Sequence, residues 1–228
     1  MLSSAFYDIE ARLAEEQLGW TKAVGASEAS LMLHLALQAA RRRRRPMFVL
    51  YVDLRTFFPA VHRPNATVGE LLKGLAPQFV DTVGALFGEL TGVYDSAYGL
   101  SEPFRLYMGV LMGDVLSPDR AKVLLDAVAL AIRATAIGAE LGQAGDGKRL
   151  LQVLYADDWA GLFGSVEQVM IAWSIWNAFA VSSGCALGIA QLDKTVVAGV
   201  GYASDGTPFE AYIPILRTHD GRQVGERR

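Results

Sequence analysis

The stretch LYADDWAGLF, residues 154–163, sets two adjacent carboxylates, Asp157 and Asp158, inside an otherwise apolar run. Like charges side by side repel, and burial raises the free energy of keeping either one ionised. The flanks LQVLYA and WAGLF are poor loop sequence and good strand sequence. The simplest solution is a hairpin. Its arms, 149–155 and 159–163, pair in a sheet and present the acids at the turn. Even there the pair calls for a positive neighbour, either a basic side chain or a metal ion.

A second segment adds a third acid. FVLYVDL (48–54) is a short β-rich run consistent with a buried strand, and Asp53 stands at its C-terminal end. Laid beside the hairpin, this strand brings Asp53 close to the pair. Three carboxylates from two strand ends form an oxygen-rich site suited to Mg²⁺, a hard cation. Two such ions, roughly 3.5–4 Å apart, suit an in-line displacement at phosphorus.

The remaining sequence mixes helices and short strands, which predicts an α+β fold. MLSSAFYDIEARLAEEQ reads as an amphipathic helix without the apolar core of a signal peptide. Residues 26–45 have helical character, with Leu31 and Leu35 on an apolar side and five arginines at the end. Thr67 and Glu70 stand at capping-box spacing, which starts a helix at 67 that runs toward Leu90 with a break near Pro77. Residues 92–110 alternate aromatic and polar residues around Gly99 and predict a hairpin. Ser117 and Pro118 open a helix through 136, and Ser165 opens another that ends at Gly184. LGIA, KTVVAGV and FEAYIPIL read as extended pieces, and Trp159, Trp173 and Trp176 as core.

Composition narrows the class. The 228 residues are 52% hydrophobic, enough for a sizeable core. A net charge of −3 gives no general electrostatic case for nucleic-acid binding, so any such case rests on local charge. The single cysteine, Cys185, excludes an intrachain disulfide framework and predicts an intracellular setting. The apolar run VLLDAVALAI is too short to cross a bilayer, so no membrane partner is expected. GQAGDGK (142–148) fits the phosphate-loop spacing, but Arg149 replaces the required Ser or Thr.

Four blocks, in order, resemble reverse transcriptases. YADD (155–158) is similar to their Tyr-x-Asp-Asp signature. YVDLRTFFPAV (51–61) resembles the strand that bears the first metal-binding aspartate, with an aromatic, Phe58, five residues on. GVLMGDVLSPDRAKVLLDAV (109–128) resembles the Gly-containing turn that leads through Leu-Ser-Pro into a long helix. LGIAQLDKT (187–195) resembles the block ending in Lys-Thr. The match spans roughly residues 47–200 and is nearest to enzymes of non-LTR retroelements and group II introns.

The resemblance implies an RNA-directed DNA polymerase palm, a small antiparallel sheet packed against helices. Its partners would be an RNA template, a DNA primer and dNTPs, and its cofactor two Mg²⁺ ions, with Mn²⁺ as substitute. Asp53 and Asp157 would bind the metals with Asp158 beside them, and the Leu54 carbonyl would add a ligand. Phe58 would lie under the incoming sugar and exclude a 2′-hydroxyl. Gly113 would let the backbone approach the nucleotide, with Met112 beside it. Lys194 would stand near the leaving phosphate. Arg41, Arg42, Arg43, Arg44 and Arg45 read either as a solvated helix end or as a patch for nucleic-acid phosphates.

The implied layout is a helical N-terminal segment (1–46) as a fingers remnant, a palm (47–200), and a tail (201–228) opening a thumb. Both flanks are short for full subdomains, so fingers and thumb are expected to be truncated. Four departures stand out. Leu111-Met112-Gly113 replaces the usual Pro-Gln-Gly, Asp114 follows where a small polar residue is usual, Pro59 stands where an aspartate often follows the aromatic, and Gln191 replaces an asparagine. Met112, Asp114 and the short flanks favour the alternative reading, a catalytically inactive palm serving as a nucleic-acid-binding or assembly module. An RNA-templated RNA polymerase is a further rival, and Phe58 argues against it.

Overall fold

The structure, a computed structural model, describes residues 9, 11–21, 24–140, 149–185, 195–212 and 215–226. In chain order the first elements are α1 (Ala26–Arg42), β1 (Met47–Val52), α2 (Phe57–Ala60), α3 (Arg63–Leu72) and α4 (Pro77–Gly88). Four short strands follow: β2 (Thr91–Gly92), β3 (Asp95–Ser96), β4 (Gly99–Leu100) and β5 (Phe104–Arg105). Then come α5 (Ser117–Thr135), β6 (Ala139–Glu140), β7 (Arg149–Leu150), β8 (Gln152–Tyr155), β9 (Asp158–Phe163) and α6 (Val166–Ser183). The last are β10 (Val196–Tyr202), β11 (Pro208–Glu210) and β12 (Gly225–Glu226). The class is α+β. The chain divides into two compact units, Met1–Leu13 with Thr56–Leu124, and Ala14–Arg55 with Leu125–Arg228.

The larger unit is built on a sheet of order β11-β10-β1-β9-β8, antiparallel along this path, with β12 added parallel to β10. β1 is central because MFVLYV is buried on both faces, and only Tyr51 is exposed. Alternation puts Phe48, Leu50 and Val52 on one face and Met47, Val49 and Tyr51 on the other. On the first face, in β9, Trp159 meets Trp176 of α6 edge-on at 5.4 Å. Such a contact adds about 0.5–1.5 kcal/mol beyond area burial. Gly161 lies between Trp159 and Phe163, whose rings close over it; a Cβ there would begin 2.2 Å from the indole. Gln152, fully buried, accepts from Trp159 Nε1 at 2.9 Å and donates to the Ala129 carbonyl of α5 at 2.9 Å.

α1 covers part of the second face through Ala36 and Ala40, which pack on Met47, Val49 and Leu162. Leu31 and Leu35, expected on its apolar side, are instead 54% and 53% exposed. Small alanines let the helix axis approach the sheet, and that turns the leucines outward. The helix ends in a Schellman turn, with Arg44 N donating to Arg41 O at 3.2 Å and Arg45 N to Ala40 O at 3.0 Å.

Two expectations are corrected, the first of them in the smaller unit. A helix starts at Arg63 with His62 as N-cap and Pro64 in its first turn, so Thr67 and Glu70 lie inside it. Proline lacks the N–H that a later position would have to donate, and it overrides the capping-box spacing. Glu70 pairs instead with Arg120 at 2.9 Å, both buried, and burial pushes the Glu70 carboxyl up against the opposing pull of Arg120. The second correction lies at the N-terminus, where residues 11–17 form turns and not the expected helix. Hairpin pairing around Gly99 is present as β2–β5 and β3–β4. Among the described residues, no helix is long and apolar enough to cross a membrane.

Candidate active site

β8 and β9 pair antiparallel with Tyr155 opposite Asp158, so Ala156 and Asp157 form a two-residue turn. Ala156 has φ of 60° and Asp157 has none in the positive range, the type II′ pattern whose first position favours glycine. An alanine held there stores about 1–2 kcal/mol of strain. Such strain persists only where surrounding structure over-determines the backbone.

That structure is the segment Glu16–Gly19, which runs along the outer edge of β8. Leu154 N donates to Glu16 O at 2.9 Å, and Leu18 N donates to Leu154 O at 2.8 Å. Glu16 is anchored to Arg133 of α5 by an ion pair. Gln17, buried, accepts from Gly19 N through Oε1 at 3.2 Å. Gly19 then rests on the turn itself, and a Cβ at this position would begin 1.9 Å from Ala156 N. The turn that bears Asp157 is therefore braced by backbone.

Asp53 reaches the same place from β1. The β1–β9 register runs from Phe48↔Phe163 to Val52↔Trp159. Asp53 follows Val52 and Asp158 precedes Trp159, so the two acids flank the last pair of this ladder. Asp53 and Asp157 are half-buried and Asp158 is exposed. Asp53 N donates to Thr195 Oγ1 at 3.2 Å, which ties the end of β1 to the start of β10. A groove of about 550 Å³ opens here, lined by Leu33, Tyr51, Val153, Tyr155, Val196 and Asp158. Burial pushes the Tyr51 phenol above its ordinary value, so it stays a neutral hydroxyl.

Among the described residues, no three His, Cys, Asp or Glu side chains form a group that could hold a metal ion. Mg²⁺ at polymerase-type sites does not require one, being held by one or two carboxylates plus substrate phosphates and water. The all-oxygen set of Asp53, Asp157 and Asp158 fits that chemistry.

Leu54, next to Asp53, is buried. Phe58, Met112 and Gly113 belong to the smaller unit. There Phe58 is half-buried in α2, edge-on to Phe57 at 6.3 Å, and its carbonyl accepts from Val110 N at 2.9 Å. That bond brings Phe58 to the loop carrying Met112, which is 80% exposed, and Gly113, whose φ is 88°. Arg63 clamps the same loop, donating to Gly109 O at 2.7 Å, Met108 O at 3.0 Å and Phe87 O at 2.5 Å. Asp114 turns inward along its own chain, its Oδ1 accepting from Leu116 N at 2.7 Å.

Lys194 and residues 187–194 of its block lie outside the described residues, as does GQAGDGK. The arginine run stands at the opposite end of β1, where Arg45 is taken up by an ion pair with Glu140. No motif singles out Gly19 or Arg63, and Ala156 and Thr195 enter only as members of the YADD and LGIAQLDKT blocks. Ala156 had a signal, since a two-residue turn between paired strands demands positive φ at its first position. Gly19 had none, because its neighbour in space is 137 positions away in the chain.

The sequence matches no protein-family model and no curated protein. Solved structures do match the fold. Telomerase from Candida tropicalis in complex with the TWJ fragment of telomeric RNA superposes with a TM-score of 0.61 at 9% identity, covering 92% of this chain and 33% of that one. Apo telomerase from Candida tropicalis, truncated from the C-terminal domain, gives 0.61 at 9% identity over 93% of this chain and 41% of that one. Telomerase from Candida albicans, also with the TWJ fragment, gives 0.57 at 11% identity over 90% and 35%. The chain thus spans about a third to two fifths of the telomerase chains it matches. At these identities the likeness is one of fold, and the fold is reverse-transcriptase-like, built around a palm sheet.

Proposed function

We propose that this chain is an RNA-directed DNA polymerase of the non-LTR retroelement or group II intron type, taking an RNA template, a DNA primer and dNTPs. The observation that best supports the reading is the strand register, which ends in the pair Val52–Trp159, with Asp53 next after Val52, Asp158 next before Trp159 and Asp157 in the adjoining turn. The telomerases of like fold are held with telomeric RNA, which supports a nucleic-acid partner. Asp53, Asp157 and Asp158 would hold two Mg²⁺ or Mn²⁺ ions, with the Leu54 carbonyl as an added oxygen. Bound there, such ions activate the primer 3′-hydroxyl and offset charge on the departing pyrophosphate.

The chain's own groups do the positioning. Thr195 Oγ1 holds the end of β1, and Gly19 holds the turn. Phe58 is assigned to exclude a 2′-hydroxyl, Gly113 and Met112 to flank the nucleotide, and Lys194 to stabilise the leaving phosphate. A second reading, a palm that binds nucleic acid without catalysis, is favoured by Met112 standing exposed where a nucleotide-contacting glutamine is usual.

Primer extension on an RNA template with dNTPs and Mg²⁺ or Mn²⁺ separates the two. Extension that D157N/D158N abolishes is expected. A folded parent that binds the primer–template and never extends it would sink the polymerase reading and leave the second. Phe58→Ala in an active enzyme should raise ribonucleotide use, and an unchanged ratio removes the gate assignment.

A further inference from the structure

The sheet carries a second groove at the end away from the carboxylates. It measures about 550 Å³ and is lined by Leu37, Arg41 and Arg44 of α1 and its cap, by Met47, and by Tyr202 and Pro208 of the β10–β11 hairpin. Met47 to Asp53 is six residues of extended chain, so this groove and the carboxylates stand roughly 20 Å apart along β1.

Its walls are built around a guanidinium. Arg44 occupies the C′ position of α1 with φ of 52°, where glycine is the usual residue. Gly206 has φ of 81°, and a Cβ on it would begin 2.3 Å from Arg44 Nη1. A missing side chain on the hairpin therefore makes room for an unusual arginine on the helix. Arg41, Arg42, Arg43 and Arg44 are exposed, while Arg45 is consumed by Glu140. Among the described residues, no ion pair engages Arg41, Arg42 or Arg44. Two acids lie on the hairpin, Asp205 and Glu210, both exposed. Asp205 is turned to its own loop, where Oδ1 accepts from Thr207 N at 2.8 Å. Cations remain in excess.

We propose that this groove binds a single strand of nucleic acid, with Arg41 and Arg44 on backbone phosphates and Tyr202 under a base. A basic groove with an aromatic floor is what tracks an unpaired strand, whose bases are free to stack. A duplex keeps its bases stacked on each other and would leave Tyr202 without a partner. The inference needs no catalysis and rests only on the arginine end of the sheet.

Fluorescence anisotropy with a labelled single-stranded RNA, the matching single-stranded DNA and their duplex tests it. The groove variants should lose affinity for the single strands and keep the parent's affinity for the duplex. R41Q/R44Q should weaken single-strand binding about tenfold and reduce the salt slope by about 1.4, the contribution of two phosphate contacts. Arg41→Lys should keep the slope, and Tyr202→Ala should weaken binding about tenfold at unchanged slope. Arg41 and Arg44 are exposed and Tyr202 is half-buried, and an unshifted melting curve confirms each variant's fold. D157N/D158N should leave single-strand affinity at this groove unchanged, so that a dead polymerase still passes this test. Equal single-strand affinity of R41Q/R44Q and parent overturns the proposal.

Discussion

The two ends of β1 are built in opposite ways. At the Asp53 end, the acidic positions are fixed through their main chain: Asp53 N donates to Thr195 Oγ1, and the Ala156–Asp157 turn rests on Gly19. At the Met47 end, Arg41 to Arg44 are exposed on the last turn of a helix, and one of them fits a gap left by Gly206. Metal-assisted chemistry needs carboxylates fixed within a fraction of an ångström, and flexible side chains on loops do not supply that. Phosphate binding needs positive charge and access, and long side chains supply both. The difference in construction is the physical argument for giving the two ends different tasks.

The largest expected effect sharpens that division. D157N/D158N should lower primer extension on the order of a thousandfold or more, the scale of losing a preorganised electrostatic partner of the transition state. It should leave the melting temperature nearly unchanged, because Asp158 is exposed, Asp157 only half-buried, and adjacent like charges add little stability. Next is Gly19→Ala. The new Cβ meets backbone, so the turn must move, and overpacking of this kind destabilises by about 1–3 kcal/mol. Melting and extension should fall together, while single-strand binding at the arginine groove survives. If Gly19→Ala melts like the parent, the brace does not exist and the comparison between the two ends loses its main term.

R41Q/R44Q comes third, with its roughly tenfold loss of single-strand affinity. It should spare the primer extension chemistry at saturating template, and that asymmetry with D157N/D158N is the sharpest statement of the comparison. The smallest effect is Ala156→Gly. Removing the Cβ relieves the positive-φ strain and should raise stability by about 0.5–1 kcal/mol in a denaturant titration. Extension should fall a few-fold despite the added stability, since a freer turn holds Asp157 less well. A rise in extension would mean that strain at Ala156 serves nothing.

Much of this site was legible in residues alone. The apolar arms around Asp157 and Asp158 admit a hairpin because strand periodicity and a two-residue turn are both local properties. Asp53 was legible for the same reason, standing where a buried strand ends. Local rules failed where two of them competed or where a distant partner decided. At the start of α3, Pro64 outweighed the Thr67–Glu70 spacing, and Glu70 went to Arg120. On α1, Leu31 and Leu35 gave way to alanines because the sheet accepted the closer helix face. Residues 11–17 left the expected helix, and Glu16–Leu18 now hydrogen-bonds along β8, an edge no local pattern could announce.

By itself, then, the sequence determined the alternation of strands and helices and the placing of three acids at strand ends, since both follow from residue type and short-range spacing. Only the tertiary structure decided the register that leaves Asp53 and Asp158 flanking the last β1–β9 pair, the bracing of the adjoining turn by Gly19, and which of the five arginines keep their charge free for a ligand. Those outcomes depend on contacts between residues far apart in the chain, and a backbone gap such as Gly19 or Gly206 has meaning only once its neighbour is in place.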